Sequence, residues 1–197
     1  FLSKRMTELS ANYWDTRYRE DEIGWDVGHP TFPIVEYAEQ LQNRDIKILI
    51  PGCGNGYEAE ELWLMGFRNI HVLDYSSEAI KGFLQRVLDF PEEQIHIADF
   101  FDHSGQYDLI IEQTFFCALN PELRPKYARK MKELLVEGGK LVGVMFNDPL
   151  NADQPPFGGN PLQYLGLFQP VFENVYMKPC YNSIQPRMGR ELFVMFS

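Results

Sequence analysis

The chain has 197 residues, of which 45% are hydrophobic and 23% are charged, a composition typical of a globular protein with one sizeable core. Its 28 acidic and 18 basic residues give a net charge of −10, which disfavours binding to nucleic acid or to anionic lipid. The cysteines, Cys53, Cys117 and Cys180, match no zinc or redox spacing, so we predict no metal site and a reducing compartment.

Helical patterns come first along the chain, at residues 7–19 and 32–41. Short apolar runs follow at residues 46–50, 70–74, 94–98 and 107–111, and their lack of alternation predicts strands that are covered on both faces. Helical patterns at residues 57–65 and 76–88 separate these runs, with Ser76 or Ser77 as the N-cap of the second.

The next predicted helix spans residues 121–136, with Asn120 as its cap and Pro121 as its first residue. Gly138 and Gly139 are predicted to end this helix, and the run that follows, up to residue 146, is predicted to be a strand. The last two strand-like runs, at residues 171–179 and 190–197, are joined by too few residues for a helical crossover. They predict an antiparallel hairpin that adds an edge strand.

This order of elements predicts an α/β protein with a Rossmann-like, doubly wound and mostly parallel seven-stranded sheet, a C-terminal antiparallel hairpin and N-terminal covering helices. The absence of linkers and repeats predicts one domain over residues 1–197, in which residues 1–43 cover a core of residues 44–197. A monomer is favoured.

The N-terminal residues FLSKRMTEL lack the pattern of a secretory signal, and no apolar run approaches the roughly 20 residues of a membrane helix. We therefore expect a cytoplasmic protein without a membrane span. Phe1 is not expected to be the natural start of the chain.

The loop after the first strand reads PGCGNG, with glycines at positions 52, 54 and 56, at the sheet edge where parallel α/β proteins bind ligands. A dinucleotide fingerprint would need a further glycine where Tyr57 stands, and the glutamates of the following helix would repel a pyrophosphate. This pattern disfavours an NAD enzyme and favours a nucleoside without a phosphate.

Aspartates end the next two strands. Asp74, about 22 residues after Gly52, is placed to accept the hydroxyls of a ribose, and Asp99 is placed to meet an adenine amino group with Phe100 beside the ring. Each aspartate alone would more commonly be a helix cap or a solvated strand end. Taken together with the glycine loop, they predict S-adenosylmethionine as the cofactor and S-adenosylhomocysteine as its product.

The chain resembles the class I S-adenosylmethionine-dependent methyltransferases of the thiopurine S-methyltransferase family, and it looks closest to the branch of plant halide and thiol methyltransferases. The matching segments are YWDTRY, GWDVGHPTF, LIPGCGNGYEAEEL, VLDYSSEAI, ADFF, YDLIIEQTFFCALNPELRPKYARKM, GGKLVGVMF and PPFG. They extend from about Tyr13 to the end of the chain, and the glycine loop and FFCALNPELRP are the specific parts.

The resemblance implies a set of cofactor-binding residues, which are Trp14, Tyr18, Trp25, Gly52, Gly54, Asp74, Asp99, Phe100 and Gln113. Trp14, Tyr18 and Trp25 would line the sulfonium end, although Tyr18 stands where the halide and thiol branch often has tryptophan. Arg124 matches a family arginine that approaches the substrate, and Arg187 would match a second one. The candidate catalytic residues are therefore Arg124, Trp14 and Trp25.

A methyl group on a sulfonium requires only a nucleophile held in line behind it. The segment EQTFFCA after the fourth strand lacks the polar clamp typical of amine or hydroxyl acceptors, whereas Phe115 and Phe116 would provide apolar walls. Arg124 would hold an anionic nucleophile and lower the pKa of a thiol. We predict transfer to a thiol, hydrosulfide, thiocyanate or halide. The alternatives are a thiopurine-like or other small-molecule acceptor, or a cofactor-binding module without turnover.

For two residues the sequence allows a structural role as an alternative to a functional one. Arg124 stands at a helix start, where a surface ion pair with Glu122 would explain it almost as well. Glu112 fits either a cofactor contact or a strand-end carboxylate that is satisfied within the protein.

Overall fold

The structure, a computed structural model, describes residues 8–197. The helices are α1 (Ala11–Arg19), α2 (Phe32–Glu39), α3 (Tyr57–Leu64), α4 (Ser77–Leu84), α5 (Arg124–Glu133) and α6 (Pro161–Phe168). The strands are β1 (Ile48–Pro51), β2 (Ile70–Asp74), β3 (Ile95–Ile97), β4 (Tyr107–Gln113), β5 (Leu135–Phe146), β6 (Val175–Pro179) and β7 (Glu191–Phe196). The predicted helix start at Thr7 and the expectation about Phe1 lie outside the described residues.

The seven strands form one sheet in the order β3-β2-β1-β4-β5-β7-β6. Strands β1 to β5 are parallel to their neighbours in this group, and β7 is antiparallel to both β5 and β6. The predicted Rossmann-like, mostly parallel sheet with a C-terminal antiparallel hairpin is therefore confirmed.

The hairpin places β6, which pairs antiparallel with β7, at the edge of the sheet. Strand β7 lies between β5 and β6, and β6 is the edge strand. Leu192, Val194 and Phe196 of β7 are almost fully buried, whereas Tyr176 and Lys178 of β6 are exposed. A buried strand such as β7 needs a neighbouring strand on each side. Strand β6 is short, contains lysine and ends in Pro179, so it can form the edge of the sheet.

The sheet is covered on both faces, as the continuous apolar runs predict. Ile48 and Ile50 of β1 pack with Phe83 in one apolar cluster, on the side of α2, α3 and α4. Leu49 points the other way and packs with Tyr127 in a second cluster, on the side of α5 and α6. Each fully buried apolar side chain of this size stabilises the fold by about 1.5–3 kcal/mol.

The boundary between α5 and β5 differs from the prediction. The helix ends at Glu133, and Gly138 and Gly139 lie inside β5 rather than at the end of a helix. Leu135 pairs with Tyr107 of β4, and the register shifts before the pairing resumes, while Gly138 has a φ of 75°. The two glycines therefore accommodate an irregularity in the strand, which is a second common use of glycine in sheets.

The helix α6 was not predicted. Asn160 caps it by accepting a hydrogen bond from the backbone N–H of Gln163 at 3.0 Å, and Pro161 is its first residue. This is the same Asn-Pro signal that the structure confirms at Asn120 and Pro121, where a 3-10 turn precedes α5. Ser76 is the N-cap of α4, as predicted.

The strand order reverses between β1 and β4, which are neighbours in the sheet but separated along the chain. In such sheets the loops on the two sides of the reversal diverge and leave a crevice at the carboxyl edge. Here the glycine loop after β1 and the turn after β4 meet at that point. No helix within residues 8–197 has the length and apolar character needed to cross a membrane.

Candidate active site

The glycines of the loop after β1 adopt left-handed backbone conformations. Gly52, Gly54 and Gly56 have φ values of 59°, 55° and 69°, which residues with a side chain rarely adopt. A Cβ at position 52 would lie 2.3 Å from a ring carbon of Phe115, and one at position 54 would lie 2.7 Å from the hydroxyl of Tyr18. The loop needs glycine both for its conformation and for the close approach of two aromatic side chains.

Asp74, at the end of β2, holds this loop in place. Its Oδ2 accepts a hydrogen bond from the backbone N–H of Gly54 at 2.8 Å, and its Oδ1 accepts one from the N–H of Ser76 at 2.8 Å. The carboxylate is 8% exposed, and this burial raises the pKa of Asp74 to about 6. An ionised carboxylate has about four acceptor sites, so two remain for the hydroxyls of a ligand.

Asp99 and Phe100 follow β3, as predicted, but they have structural contacts of their own. Asp99 caps a 3-10 turn by accepting a hydrogen bond from the N–H of Phe101 at 2.8 Å. Phe100 is only 3% exposed and packs against Phe115, with ring centroids 5.2 Å apart, and against Tyr127. The ring of Phe100 therefore supports this edge from beneath.

The N-terminal segment, residues 8–43, is hydrogen-bonded to the elements that surround the glycine loop. Asp15 of α1 accepts hydrogen bonds from the hydroxyl of Ser76 at 2.6 Å and from the N–H of Glu78 at 3.2 Å. The N–H of Thr31 donates to Glu58 in the first turn of α3 at 3.0 Å. The segment is thus held at the start of both helices that follow β1 and β2.

The three aromatic residues predicted at the sulfonium end lie together. Trp25 contacts Trp14 edge-on, with ring centroids 5.6 Å apart, and contacts Tyr18 in the same manner at 6.0 Å. Tyr18 reaches the backbone of Gly54, and burial together with the charge of Asp74 raises the pKa of Tyr18 well above its ordinary value. Aromatic faces attract a sulfonium or ammonium cation, so this group suits a positively charged ligand.

The turn after β4 is strained. Thr114 has a φ of 55°, which is an outlier for a β-branched residue and costs about 1–2 kcal/mol. Its hydroxyl donates to the carbonyl of Gln113 at 2.8 Å. Strain of this kind persists where the surroundings impose it, and it is concentrated at functional sites.

Glu112 imposes this turn. Its Oε1 accepts hydrogen bonds from the backbone N–H groups of Phe115 and Phe116, each at 2.9 Å, and its Oε2 accepts one from the hydroxyl of Tyr127. The side chain is 1% exposed, and burial raises the pKa of Glu112 to about 7. Of the two interpretations predicted for Glu112, the structure supports the second, a strand-end carboxylate whose hydrogen bonds are satisfied within the protein. Neither the Tyr127 bond nor the Thr114 strain had a local sequence signal.

A small pocket lies beyond the ends of β4 and β5. Its cavity of about 10 Å³ has room for roughly one water-sized sphere. The lining residues are Glu112, Gln113, Thr114, Phe116, Cys117, Val144, Met145, Phe146 and Glu191. Gln113 has a buried amide oxygen without a hydrogen-bond partner within the described residues, which is costly unless a ligand or water satisfies it.

Arg124 lies behind this pocket and bonds to backbone rather than to Glu122. Its Nη2 donates to the carbonyl of Gly158 at 2.9 Å, and the guanidinium carbon lies 4.3 Å from the ring centroid of Phe116. Burial lowers the pKa of Arg124, and its Nε has no partner among the residues described. The predicted ion pair with Glu122 is therefore not the explanation of this arginine.

Arg187 reaches the site from the connection between β6 and β7. Its Nη2 donates to the carbonyl of Trp25 at 2.8 Å, and its Nη1 lies 3.7 Å from Oε1 of the buried Glu191. The structure thus places Arg187 in contact with the N-terminal segment, whereas the family resemblance implied only a contact with the substrate.

The residues at this edge fit S-adenosylmethionine. Asp74 keeps free acceptor sites, the buried amide oxygen of Gln113 has no partner in the described part of the chain, and the glycine loop lies beside the aromatic group. This site, on a sheet that reverses between β1 and β4 and carries an antiparallel β7, defines a methyltransferase of the Rossmann-like class.

Comparison with known proteins agrees with this assignment to the methyltransferases. The structure is similar to that of the 1,6-didemethyltoxoflavin-N1-methyltransferase of Burkholderia thailandensis, with a TM-score of 0.73 over 94% of this chain and 85% of that one, at 14% identity. The family model of thiopurine S-methyltransferase matches residues 9–186, and the chain belongs to that family. It is an S-adenosylmethionine-dependent methyltransferase, so the predicted family, enzyme class and cofactor are confirmed.

Two curated plant relatives are similar over almost the whole chain. The probable thiol methyltransferase 2 of Arabidopsis thaliana is 30% identical over 94% of this chain and 84% of its own length. The thiocyanate methyltransferase 1 of the same plant is 27% identical over 97% of this chain and 85% of its own length.

Proposed function

We propose that the chain transfers the methyl group of S-adenosylmethionine to a small, soft nucleophile, namely a thiol, hydrosulfide, thiocyanate or halide. The observation that carries this proposal is the absence of a free base in the pocket beyond β4, within the part of the chain that the structure describes. Glu112 accepts three hydrogen bonds, and Glu191 faces the guanidinium of Arg187. Soft nucleophiles react without a strong base, unlike amines and hydroxyls.

The lining of the pocket supports the same class of acceptor. Its cavity of about 10 Å³ has room for roughly one water-sized sphere, so every candidate acceptor, from iodide to a thiopurine, would require the walls to move apart. Phe116, Cys117, Met145 and Phe146 provide apolar and polarisable surface, which removes water from a weakly hydrated anion at small cost. Burial raises the pKa of both Glu112 and Glu191, which reduces their repulsion of an anion.

The names of the plant relatives support the proposal independently. Those proteins are described as thiol and thiocyanate methyltransferases, and each matches at least 94% of this chain.

The proposed cofactor-binding residues surround the glycine loop. Trp14, Tyr18 and Trp25 would enclose the sulfonium, and the backbone of Gly52 and Gly54 would contact the methionine portion. Asp74 would accept the ribose hydroxyls with its two free acceptor sites. The remaining proposed contacts are Asp99 near the adenine, with Phe100 supporting it from below, and Gln113 at the end of β4.

S-adenosylmethionine supplies a methyl group that its sulfonium already activates. The protein then has to hold the nucleophile in line, exclude water and keep the acceptor anionic. We assign the last task to Arg124, whose buried Nε–H has no partner among residues 8–197 while its Nη2 is held by Gly158. Trp14 and Trp25 would exclude water from the sulfonium, and these three are the proposed catalytic residues.

The charge and the thiols of the chain support two further proposals. A net charge of −10 favours a small-molecule substrate over nucleic acid. Cys53, Cys117 and Cys180 are buried and free, which suits a reducing, cytoplasmic location.

The test is methyl transfer from labelled S-adenosylmethionine to iodide, thiocyanate, hydrosulfide and an aromatic thiol, each offered separately, with cofactor binding measured by calorimetry. We expect transfer to the small nucleophiles, and faster transfer to them than to the aromatic thiol. Arg124→Ala should lower turnover with unchanged cofactor affinity, and Arg124→Lys should retain part of the activity because it keeps the charge. Tight cofactor binding without transfer to any acceptor would instead identify a binding module.

A further inference from the structure

The connection between β6 and β7, residues 180–190, crosses to the N-terminal segment beside the site. Arg187 lies in a 3-10 turn of this connection, and its side chain is only 11% exposed. The Nη2 of Arg187 donates a hydrogen bond of 2.8 Å to the backbone carbonyl of Trp25, 162 residues away in sequence. A charged donor on a carbonyl is among the stronger hydrogen bonds in proteins.

The guanidinium group of Arg187 is anchored on the core of the sheet. Its Nη1 lies 3.7 Å from Oε1 of Glu191, which is 4% exposed at the start of β7, and its guanidinium carbon lies 5.8 Å from the ring centroid of Phe146 at the end of β5. Removal of the arginine would take its ion-pair partner from the buried Glu191 and leave the charge of Arg190 as the remaining countercharge. Arg187 therefore joins two core strands to the backbone that carries the Trp25 ring.

The same connection holds the N-terminal segment at a second point. The hydroxyl of Tyr181 and the side-chain amide of Asn182 both donate hydrogen bonds to Glu36 of α2. The opposite side of the segment is held by the hydrogen bond from Asn55 of the glycine loop to Asp26. The turn that carries Trp25 is thus bonded to the C-terminal hairpin on one side and to the glycine loop on the other.

We propose that Arg187 is a positioning residue, which fixes Trp25 against Trp14 and Tyr18 and closes the N-terminal segment over the cofactor site. It acts through the carbonyl of Trp25, and this role differs from the substrate contact that the family resemblance implies for it. The inference rests on the proposed location of Trp25 at the cofactor but not on the identity of the acceptor.

The first experiment compares Arg187→Ala with Arg190→Ala. Arg190 is the control because it lies on the same connection and is exposed; it pairs at the surface with Asp148 and donates a long hydrogen bond of 3.3 Å to the carbonyl of Pro186, but it has no hydrogen bond to the described part of the N-terminal segment. We expect Arg187→Ala to speed amide hydrogen exchange of residues 23–28 in the cofactor-free protein and to weaken S-adenosylmethionine binding about tenfold, because a charged hydrogen bond to the segment is lost. Arg190→Ala should change neither quantity.

Acceptor kinetics separate positioning from substrate binding. A positioning role predicts that Arg187→Ala lowers kcat/KM by a similar factor for iodide and for a neutral thiol. A higher KM for iodide alone, with unchanged exchange and cofactor affinity, would overturn the proposal and make Arg187 a substrate arginine. Arg187→Lys, which keeps the charge but shortens the reach, should recover cofactor affinity only in part.

Glu191→Gln tests the anchor and keeps the shape of the side chain. In the positioning role, loss of the countercharge loosens the anchor, so exchange of residues 23–28 rises and the affinity for S-adenosylmethionine falls. Unchanged exchange and unchanged cofactor affinity in Glu191→Gln would overturn the proposal. Hydrogen exchange and cofactor affinity need no acceptor, so they decide the point even if the proposed acceptor class fails.

Discussion

Glu112 allows a sharp test of how burial acts at this site, through the substitution Glu112→Gln. The carboxyl is 1% exposed, and burial raises its pKa from the ordinary value of 4.5 to about 7. Between these pH values the folded protein holds a proton at Glu112 that the unfolded chain has lost. The stabilisation that this bound proton gives to the folded protein is complete below pH 4.5 and is lost as the pH rises from 4.5 through 7. Its size is on the order of 3 kcal/mol, at 1.36 kcal/mol for each pH unit.

The assay is urea unfolding of the wild type and of Glu112→Gln at several pH values from 4.5 to 8. Glutamine does not titrate, and the other groups contribute equally to both proteins, so the difference in the free energy of unfolding isolates Glu112. We expect the advantage of the wild type to be greatest at pH 4.5 and to shrink by roughly 3 kcal/mol by pH 8. An advantage that grows with pH would refute this reasoning, because it would mean that the donors at Phe115, Phe116 and Tyr127 keep the carboxyl ionised.

Three further predictions concern the loops that flank the proposed cofactor site. Asp74→Asn should weaken S-adenosylmethionine binding by about 1–3 kcal/mol in calorimetry, since one acceptor site becomes a donor; unchanged affinity would remove Asp74 from the ribose site. Gly54→Ala should lower the free energy of unfolding by more than the 1–2 kcal/mol of left-handed strain, because its Cβ meets the hydroxyl of Tyr18. In a Tyr18→Phe background the loss should be smaller but not zero, and equal losses in the two backgrounds would contradict the contact. Thr114→Asn should raise the melting temperature, with a gain of about 0.5–1 kcal/mol, because asparagine tolerates a positive φ better; a lower melting temperature would argue against strain at this turn.

The sequence predicted the architecture well because the sheet depends on local patterns. The strand at Ile70–Asp74 and the cap at Ser76 are each determined by neighbouring residues, and the structure confirms them. The error at the end of α5 occurs because glycine can either end a helix or lie at an irregularity of a strand. Gly138 and Gly139 end a helix in many proteins, but here the pairing of Leu135 with Tyr107 in the sheet extends β5 over them.

The candidate site was only partly predictable, because its supporting contacts join distant segments. The positions of Gly54 and Asp74 followed from strand ends, and these residues are hydrogen-bonded to each other. By contrast, Arg124 bonds to Gly158, 34 residues away, and this contact depends on the course of the loop after β5. The link between Arg187 and Trp25 spans nearly the whole chain, so no local pattern marks it.

The arrangement of the strands has a consequence for how such enzymes change during evolution. The proposed cofactor contacts after β1, β2 and β3 come from one short stretch, residues 52–100, whereas the proposed acceptor pocket is lined by β4, the turn after it, β5 and the start of β7. Substitutions in the second group leave the loop of Gly54 and Asp74 untouched. A new acceptor specificity can therefore arise by substitution of pocket residues of β5, such as Val144 and Met145, while the loop of Gly54 and Asp74 is inherited unchanged. Relatives named for thiol, thiocyanate and thiopurine substrates on one family framework fit this division of the sheet.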